Sequence, residues 1–477
     1  MLDADSQYDQ TRLLSPLPHE ALYVGIDVGK KRHVAGFLSR TLLQRHQRFE
    51  GCPALPFEQS REGFHLLVDR MRSYTSLEAC YVLLEHTGHY HKLLEQYLQE
   101  MDIAVYVVHV QKRPTGMLKT DKRDALNLAN TLYSQLELGV QVAEKLSLVR
   151  RALPPTKAAL QLKGLIRHRY ELIQESTQRK NKLTALCDEI FPEFTVILKD
   201  PNSPTALAIR ESFPSPHVLA TTSLAALQAV RGSARSLSDG KLMELQRLAS
   251  QSIGIKDINR QRGLMLEQSL LIKELRLIQQ HLEQLEAEIC QIVEQSREGQ
   301  ILMSIPGIGP LSAATLIATI GNIANFPRAC ELKSYLGWAP TREQTGTSFD
   351  RSALTSGGAR STKQTLYLIV WHAIKQKGGE FALLYERLVP LKCIYNDATR
   401  RYTGKGKVIG RIAGQMVSLI YGLLMTDYEV TSHLAPGTKP PAPMLYDPEV
   451  HKRHRNGQYR ALKPRKQKQL LIEQPNA

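Results

Sequence analysis

The chain has little cysteine for its length: six in 477 residues, at Cys52, Cys80, Cys187, Cys290, Cys330 and Cys393, with no Cys-x-x-Cys pair. That scatter argues against a zinc ribbon or a disulfide framework and fits a reducing cytoplasm. Long apolar runs are also missing. None approaches the roughly 18 residues of a membrane span, and Met1 to Glu20 is polar, Pro-containing and rather acidic, with no apolar signal core. The expectation is a soluble intracellular protein with no membrane partner. Acidic residues are the third deficit: 46 Asp+Glu against 62 Lys+Arg leave a formal charge of +16. Such an excess favours a polyanionic partner, nucleic acid by default, over general solubility or one basic tail that skews the total.

What is present divides into segments. Residues 1–20 form a flexible lead. Ala21–Val28, Arg32–Ser39 and Leu43–Phe49 read as three strands of a meander. Phe57–Ser73 reads as a helix, Cys80–Glu85 as a buried strand, His89–Met101 as a helix, Ile103–Val110 as a β-rich run and Asp121–Leu136 as a helix. This order is that of an α/β RNase H-like domain over 21–150. A helical linker follows over 151–300. Within it Leu264, Leu271, Leu275, Ile278, Leu282, Leu285, Ile289 and Ile292 trace an a/d seam over 264–292 with one polar lapse at Gln268. That seam suits either an intermolecular coiled coil or a hairpin with the basic helix Thr156–Phe194. A mostly α domain spans 301–432, and a Pro-rich, then basic tail spans 433–477. Eight Lys/Arg and no acid lie between Lys452 and Lys468, as in a disordered arm that touches phosphates. Pro306-Gly307-Ile308-Gly309-Pro310 before the apolar helix Leu311–Ile320 reads as a helix-hairpin-helix element whose Gly307 and Gly309 let backbone N–H groups approach a phosphate.

Four carboxylates carry the chemistry. Asp27 stands among hydrophobic neighbours on a core strand, where an unpaired charge is costly. Glu85 ends the apolar run Tyr-Val-Leu-Leu-Glu. Asp121 and Asp124, three apart, share a helix face and repel unless a cation or metal intervenes. Each has a plain alternative in turn capping or in the helix dipole. Together they suit one or two Mg²⁺ ions and phosphodiester chemistry.

At these residues the chain resembles a known family. Gly-Ile-Asp27-Val-Gly-Lys-Lys, Leu-Glu85-His-Thr-Gly and Lys-Thr-Asp121-Lys-Arg-Asp124-Ala resemble the three blocks of a RuvC-like DEDD domain. Pro306-Gly-Ile-Gly-Pro, Phe326-Pro, Tyr335-Leu-Gly-Trp-Ala-Pro340 and Gln344-Thr-Gly346 resemble its partner transposase domain. Both are similar to the IS110 family of insertion-sequence recombinases, which also includes Piv-type DNA invertases. The resemblance runs from about Leu22 to Met425.

The resemblance implies a fold and a mechanism. The fold would be a RuvC-like N-terminal domain, a long helical or coiled-coil linker and a mostly α transposase domain. The function implied is that of a transposase that cuts and rejoins insertion-sequence DNA with Mg²⁺ at Asp27, Glu85, Asp121 and Asp124. A hydroxyl of the second domain would form a covalent intermediate. Partners implied are donor and target DNA, a structured noncoding guide RNA, and a homodimer or tetramer. Action would be cytoplasmic, at the bacterial nucleoid. The family's serine lies five residues past a Gly-x-x-Pro; counting from Pro340 lands on Thr345, with Ser348 three residues on. Where the family often carries a Lys and later Gly-Asn, this chain has Ser356-Gly-Gly358-Ala359, so phosphate contacts fall to Arg351 and Arg360, beside Lys30, Lys119, Lys122 and Arg123 in the first domain. Competing readings are a RuvC-like nuclease that uses water, a diverged RNA/DNA-binding element protein without catalysis, and, more remotely, a sugar-kinase or actin-like ATPase.

Overall fold

The computed structural model describes residues 20–85, 89–108, 120–137, 150–151, 153–230, 237–345, 349–354, 357–435 and 437–452. The chain forms two compact units, divided after Pro154.

The first unit is an α/β sheet built from β1 (Leu22–Asp27), β2 (Arg32–Leu38), α1 (Arg40–His46), β3 (Ala54–Glu58), α2 (Arg61–Arg72), β4 (Cys80–Glu85), α3 (Lys92–Glu100), β5 (Ala104–Val108), α4 (Asp121–Leu136) and β6 (Arg150–Arg151). The strand order is β3-β2-β1-β4-β5-β6. β1, β4 and β5 run parallel, while β2, β3 and β6 pair antiparallel. The expected third strand at Leu43–Phe49 is a correction. Ser39 accepts the Leu42 amide and starts helix α1 there. The third strand is β3, whose Pro56 is tolerated because β3 is an edge.

Side-chain alternation decides which helix covers which face. Tyr23, Gly25 and Asp27 share one face of β1. Gly25 pairs with Gly36 of β2, and a Cβ on either would strike α4. At Gly25 it would lie 2.2 Å from the Ala125 carbonyl oxygen and the Ala129 nitrogen; at Gly36 it would lie 2.8 Å from the Leu126 nitrogen. The two facing glycines form the bed of α4. The other face, with Leu22, Val24 and Ile26 fully buried, is left to α2 and α3, whose Leu67, Met71, Leu94 and Leu98 join the same core.

The second unit is mostly helical. α5 (Lys157–Ile190) is followed by five short helices, α6 (Phe194–Ile197), α7 (Pro204–Ser212), α8 (Pro216–Thr221), α9 (Leu224–Ala229) and α10 (Asp239–Ser250), then by the long α11 (Ile258–Gln295). α11 folds back antiparallel on α5: Arg169 reaches Glu286, Arg179 reaches Glu274, and Leu172 packs with Ile278 and Leu282. The polar lapse in the seam has a partner. Gln268 Oε1 accepts from Arg210 Nε and Nη2 at 2.9 and 2.8 Å, and Gln268 Nε2 donates to the Arg210 carbonyl. Both residues are buried.

The rest comprises α12 (Arg297–Met303), α13 (Pro310–Ile320), α14 (Ala329–Tyr335), β7 (Pro340–Thr345), β8 (Phe349–Leu354), α15 (Arg360–Lys375), α16 (Glu380–Lys392), β9 (Ile394–Asn396), β10 (Arg401–Thr403) and α17 (Gly406–Ser432). Ala158 and Leu162 of α5 and Ile289 and Val293 of α11 share one core with α12–α17. The helical segment is thus continuous with the C-terminal region. α17 corrects the expectation about apolar runs: by length and composition it could cross a membrane. It is half buried, with Ile412, Ala413, Met416, Val417 and Ile420 in that core, and a core helix passes the same test.

Candidate active site

β1 and β4 are in register through Ile26 and Leu84. One residue further, Asp27 and Glu85 end neighbouring strands, on the same side of the sheet, with adjacent strands about 4.8 Å apart. Both are half-buried. α4 crosses this face in the opposite sense to β1. Near the start of β1, Tyr23 stacks on Tyr81 of β4 (5.6 Å), meets Tyr133 edge-on (5.4 Å) and donates to Glu137 at 2.6 Å. Mid-strand, Gly25 lies under Ala125 and Ala129. At the far end the first turn of α4, with Asp121 and Asp124, comes to the end of β1 that carries Asp27.

The two helix acids differ. Asp124 is 4% exposed, whereas Asp121 is open to solvent. Thr120 caps the helix by accepting the Arg123 amide at 3.3 Å, and both acids sit favourably at the positive end of its dipole. Of the basic candidates, Lys30 and Lys122 are exposed, and Arg123 is drawn toward Glu50 at 3.8 Å. Lys119 lies outside the described residues. The donor set is all carboxylate oxygen, which fits a hard divalent ion such as Mg²⁺. Among the described residues no three His, Cys, Asp or Glu side chains are gathered closely enough to hold a metal. The topology brings the acids to one edge without drawing them into a ligand sphere.

The turn after Asp27 is held by a residue that the sequence reading passed over. A Cβ on Gly29 would strike the Arg32 carbonyl at 2.4 Å, so the turn needs glycine. The Gly29 amide donates to His33 Nδ1 at 3.3 Å, and His33 Nε2 bonds Gln59 Oε1. Gln59 Nε2 in turn donates to the Tyr90 carbonyl at 3.3 Å. The chain of bonds ties the loop after Asp27 to the segment that follows Glu85. It requires neutral His33, and burial lowers its pKa accordingly. The histidine is buried on a strand with no periodic signature, so little in the sequence marks it.

In the second unit β7 and β8 form an antiparallel hairpin that closes with Thr345 opposite Phe349 and sets Glu343 opposite Arg351. Thr345 is the last residue of β7; Ser348 lies outside the described residues. The hairpin's base is pinched. Gly337 (φ +78°) and Gly358 (φ +85°) approach so closely that a Cβ on Gly358 would lie 2.8 Å from the Gly337 Cα. The positive φ and this close approach together require glycine at 358. Arg360, exposed, opens α15.

Gly307 and Gly309 have different surroundings. Gly307 (φ +90°) packs on α15, where a Cβ would lie 2.6 Å from the Ile369 carbonyl and 2.8 Å from the Ala373 nitrogen. Helix packing accounts for that glycine. Gly309 is exposed at the N-cap of α13, with nothing within 4 Å of a built Cβ.

Comparisons with known proteins agree with this layout. Residues 24–192 match a model for the DEDD domain of IS110-type elements, described as a transposase. Residues 299–386 match the transposase IS116/IS110/IS902 family. The chain is 25% identical over 320 residues to the uncharacterized 43.6 kDa protein of insertion element IS110 from Streptomyces coelicolor, covering 65% of this chain and 71% of that one. It is 26% identical over 236 residues to a mini-circle protein of the same organism assigned as the transposase for IS117, covering 48% and 54%. A pilin gene-inverting protein of Moraxella bovis is 31% identical over 90 residues, 18% of this chain and 28% of that one.

Proposed function

From the chain's membership of the IS110 family of transposases, we propose that it cuts and rejoins the DNA of an insertion sequence, using Mg²⁺ at Asp27, Glu85, Asp121 and Asp124 and a hydroxyl nucleophile from the β7–β8 hairpin. One observation supports the reading: the β1–β4 register makes Asp27 and Glu85 the ends of neighbouring strands, and α4, seated on Gly25 and antiparallel to β1, carries Asp121 and Asp124 in its first turn. The strand order is the one an RNase H-like, RuvC-like domain has.

When bound, divalent ions stabilise the attacking and leaving oxygens of a phosphodiester displacement. Asp27 and Glu85, fixed on the sheet, set the position of the site, and Asp121 has the freedom to swing onto it. The Thr345 hydroxyl oxygen forms a bond to phosphorus, one P–O bond to deoxyribose breaks, and the hydroxyl proton passes through solvent to the leaving oxygen. Ser348 is the alternative nucleophile. The covalent phosphoester stores the energy of the broken bond, so a second DNA end can reverse the step in rejoining. Gly309 with the start of α13, as a helix-hairpin-helix element, and Lys30, Lys119, Lys122, Arg123, Arg351 and Arg360 contact phosphate. Selection of donor and target by a structured noncoding RNA, in the bacterial cytoplasm, follows from the family resemblance and suits the charge of +16. Assembly as a dimer or tetramer, by coiled-coil pairing, is supported by a second apolar stripe on α11: Leu266, Leu270 and Leu277 are 63, 51 and 52% exposed.

The test incubates protein, element RNA, Mg²⁺ and end-labelled donor and target DNA, then denatures. The proposal expects label on protein that proteolysis releases. Nicked DNA without an adduct would instead support a water-using nuclease, a reading that threonine at 345 favours because its methyl group crowds attack.

A further inference from the structure

The helix that follows the β7–β8 hairpin has a face that the proposed chemistry does not use. α15 buries Leu366, Ile369, Val370 and Ala373. On its outer side Tyr367, Leu368 and Trp371 are 43, 44 and 36% exposed. The Tyr367 and Trp371 rings are parallel within 8°, with centroids 6.4 Å apart. Lys375 places its ammonium 5.1 Å from the centre of the Trp371 ring. These three residues stand at four-residue steps and make one stripe along the helix.

Tyr367, Leu368 and Trp371 leave part of their surface exposed side by side, and a contiguous apolar patch, unlike a single exposed residue, marks an interaction surface. The charge on the helix itself is of one sign. From Arg360 to Lys375 the helix carries Arg360, Lys363, His372 and Lys375 and no acid, and Lys377 follows two residues later. A row of parallel aromatic faces with cations alongside is the surface on which unpaired bases stack while their phosphates are neutralised. A hydrophobic protein partner would call for more apolar area and gain nothing from the cations. Duplex DNA offers no exposed base face.

We propose that Tyr367, Trp371 and Lys375 form a stacking platform for single-stranded DNA. It rests on the proposed function in one respect: strand exchange unpairs DNA, and this makes DNA rather than RNA the occupant. The platform lies on the helix that starts six residues after β8. Tyr367 is about 10 Å along that helix from Arg360 at the 1.5 Å rise per residue, so a stacked strand would extend toward the hairpin.

The experiment measures anisotropy of a labelled oligodeoxynucleotide of about twelve residues with full-length protein carrying Asp27→Asn and no Mg²⁺. Binding is thus read without chemistry, and failure of the transposase reading cannot imitate failure of the platform. Trp371→Ala and Tyr367→Ala are expected to weaken binding about tenfold each, with Trp371→Phe restoring most of it and circular dichroism unchanged. Trp371 is one of two tryptophans, and Trp338 is buried, so single-stranded DNA should also quench the exposed emission. Unchanged affinity in both alanine variants overturns the proposal, as does tighter binding of an RNA oligomer or equal quenching by duplex DNA. Loss of an oligomer in Trp371→Ala on sedimentation would overturn it too, since the face would then be a protein interface.

Discussion

The Ala129 backbone nitrogen lies 2.2 Å from where a Cβ on Gly25 would be. Because Gly25 and Asp27 share a face and Ala125 adjoins Asp124, this close approach fixes how near the helix acids come to the strand acid. Gly25→Ala is expected to cost about 1–3 kcal/mol through overpacking, read from urea unfolding, and to reduce DNA cleavage by more than the stability loss accounts for. Normal cleavage in a well-folded Gly25→Ala protein would separate the packing from the site.

Asp27→Asn and Asp124→Asn keep size and remove charge. Each is expected to lower cleavage at least about 1000-fold, equivalent to ~4 kcal/mol of transition-state stabilisation, with DNA binding retained in a gel-shift assay. Chelation of Mg²⁺ should abolish cleavage in the parent protein.

The nucleophile is tested by substitution in the hairpin. Thr345→Ala is expected to abolish the covalent protein–DNA species, while Ser348→Ala leaves it intact. The reverse result would assign the chemistry to Ser348.

The buried Arg210–Gln268 pair predicts a large stability effect far from the acids. Gln268→Ala removes an acceptor and leaves a desolvated guanidinium, whose pKa burial already lowers. The expected loss is about 3 kcal/mol in chemical denaturation. A change under 1 kcal/mol would mean that the backbone carbonyls of Pro201 and Leu183, which also accept from Arg210, suffice alone.

His33 sets a pH dependence. Burial lowers its folded pKa below the ordinary 6.5, so the unfolded chain binds a proton more readily. The neutral histidine's contribution is complete above pH 6.5 and is lost as pH falls below it toward the folded value. Thermal midpoints between pH 7.5 and 5 should therefore fall more for the parent protein than for His33→Gln, and identical profiles would remove His33 from the account.

Local patterning determined much of this protein. The runs ending in Asp27 and Glu85 and the helix opening at Asp121 were legible because alternation and periodicity are encoded in neighbouring residues. Leu43–Phe49 misled because an apolar pair after Ser39 suits a strand or a capped helix equally, and β3 was hidden by prolines that only an edge position excuses. The face on which the acids meet depends on Gly25 opposite Gly36 and on α4 seated over both, a contact across about a hundred residues that no local pattern records. The seam through Leu264–Ile292 announced a partner helix. Only tertiary packing chose α5 within the same unit, because the charges of Arg169 and Arg179 and the buried Gln268–Arg210 pair are satisfied by that register.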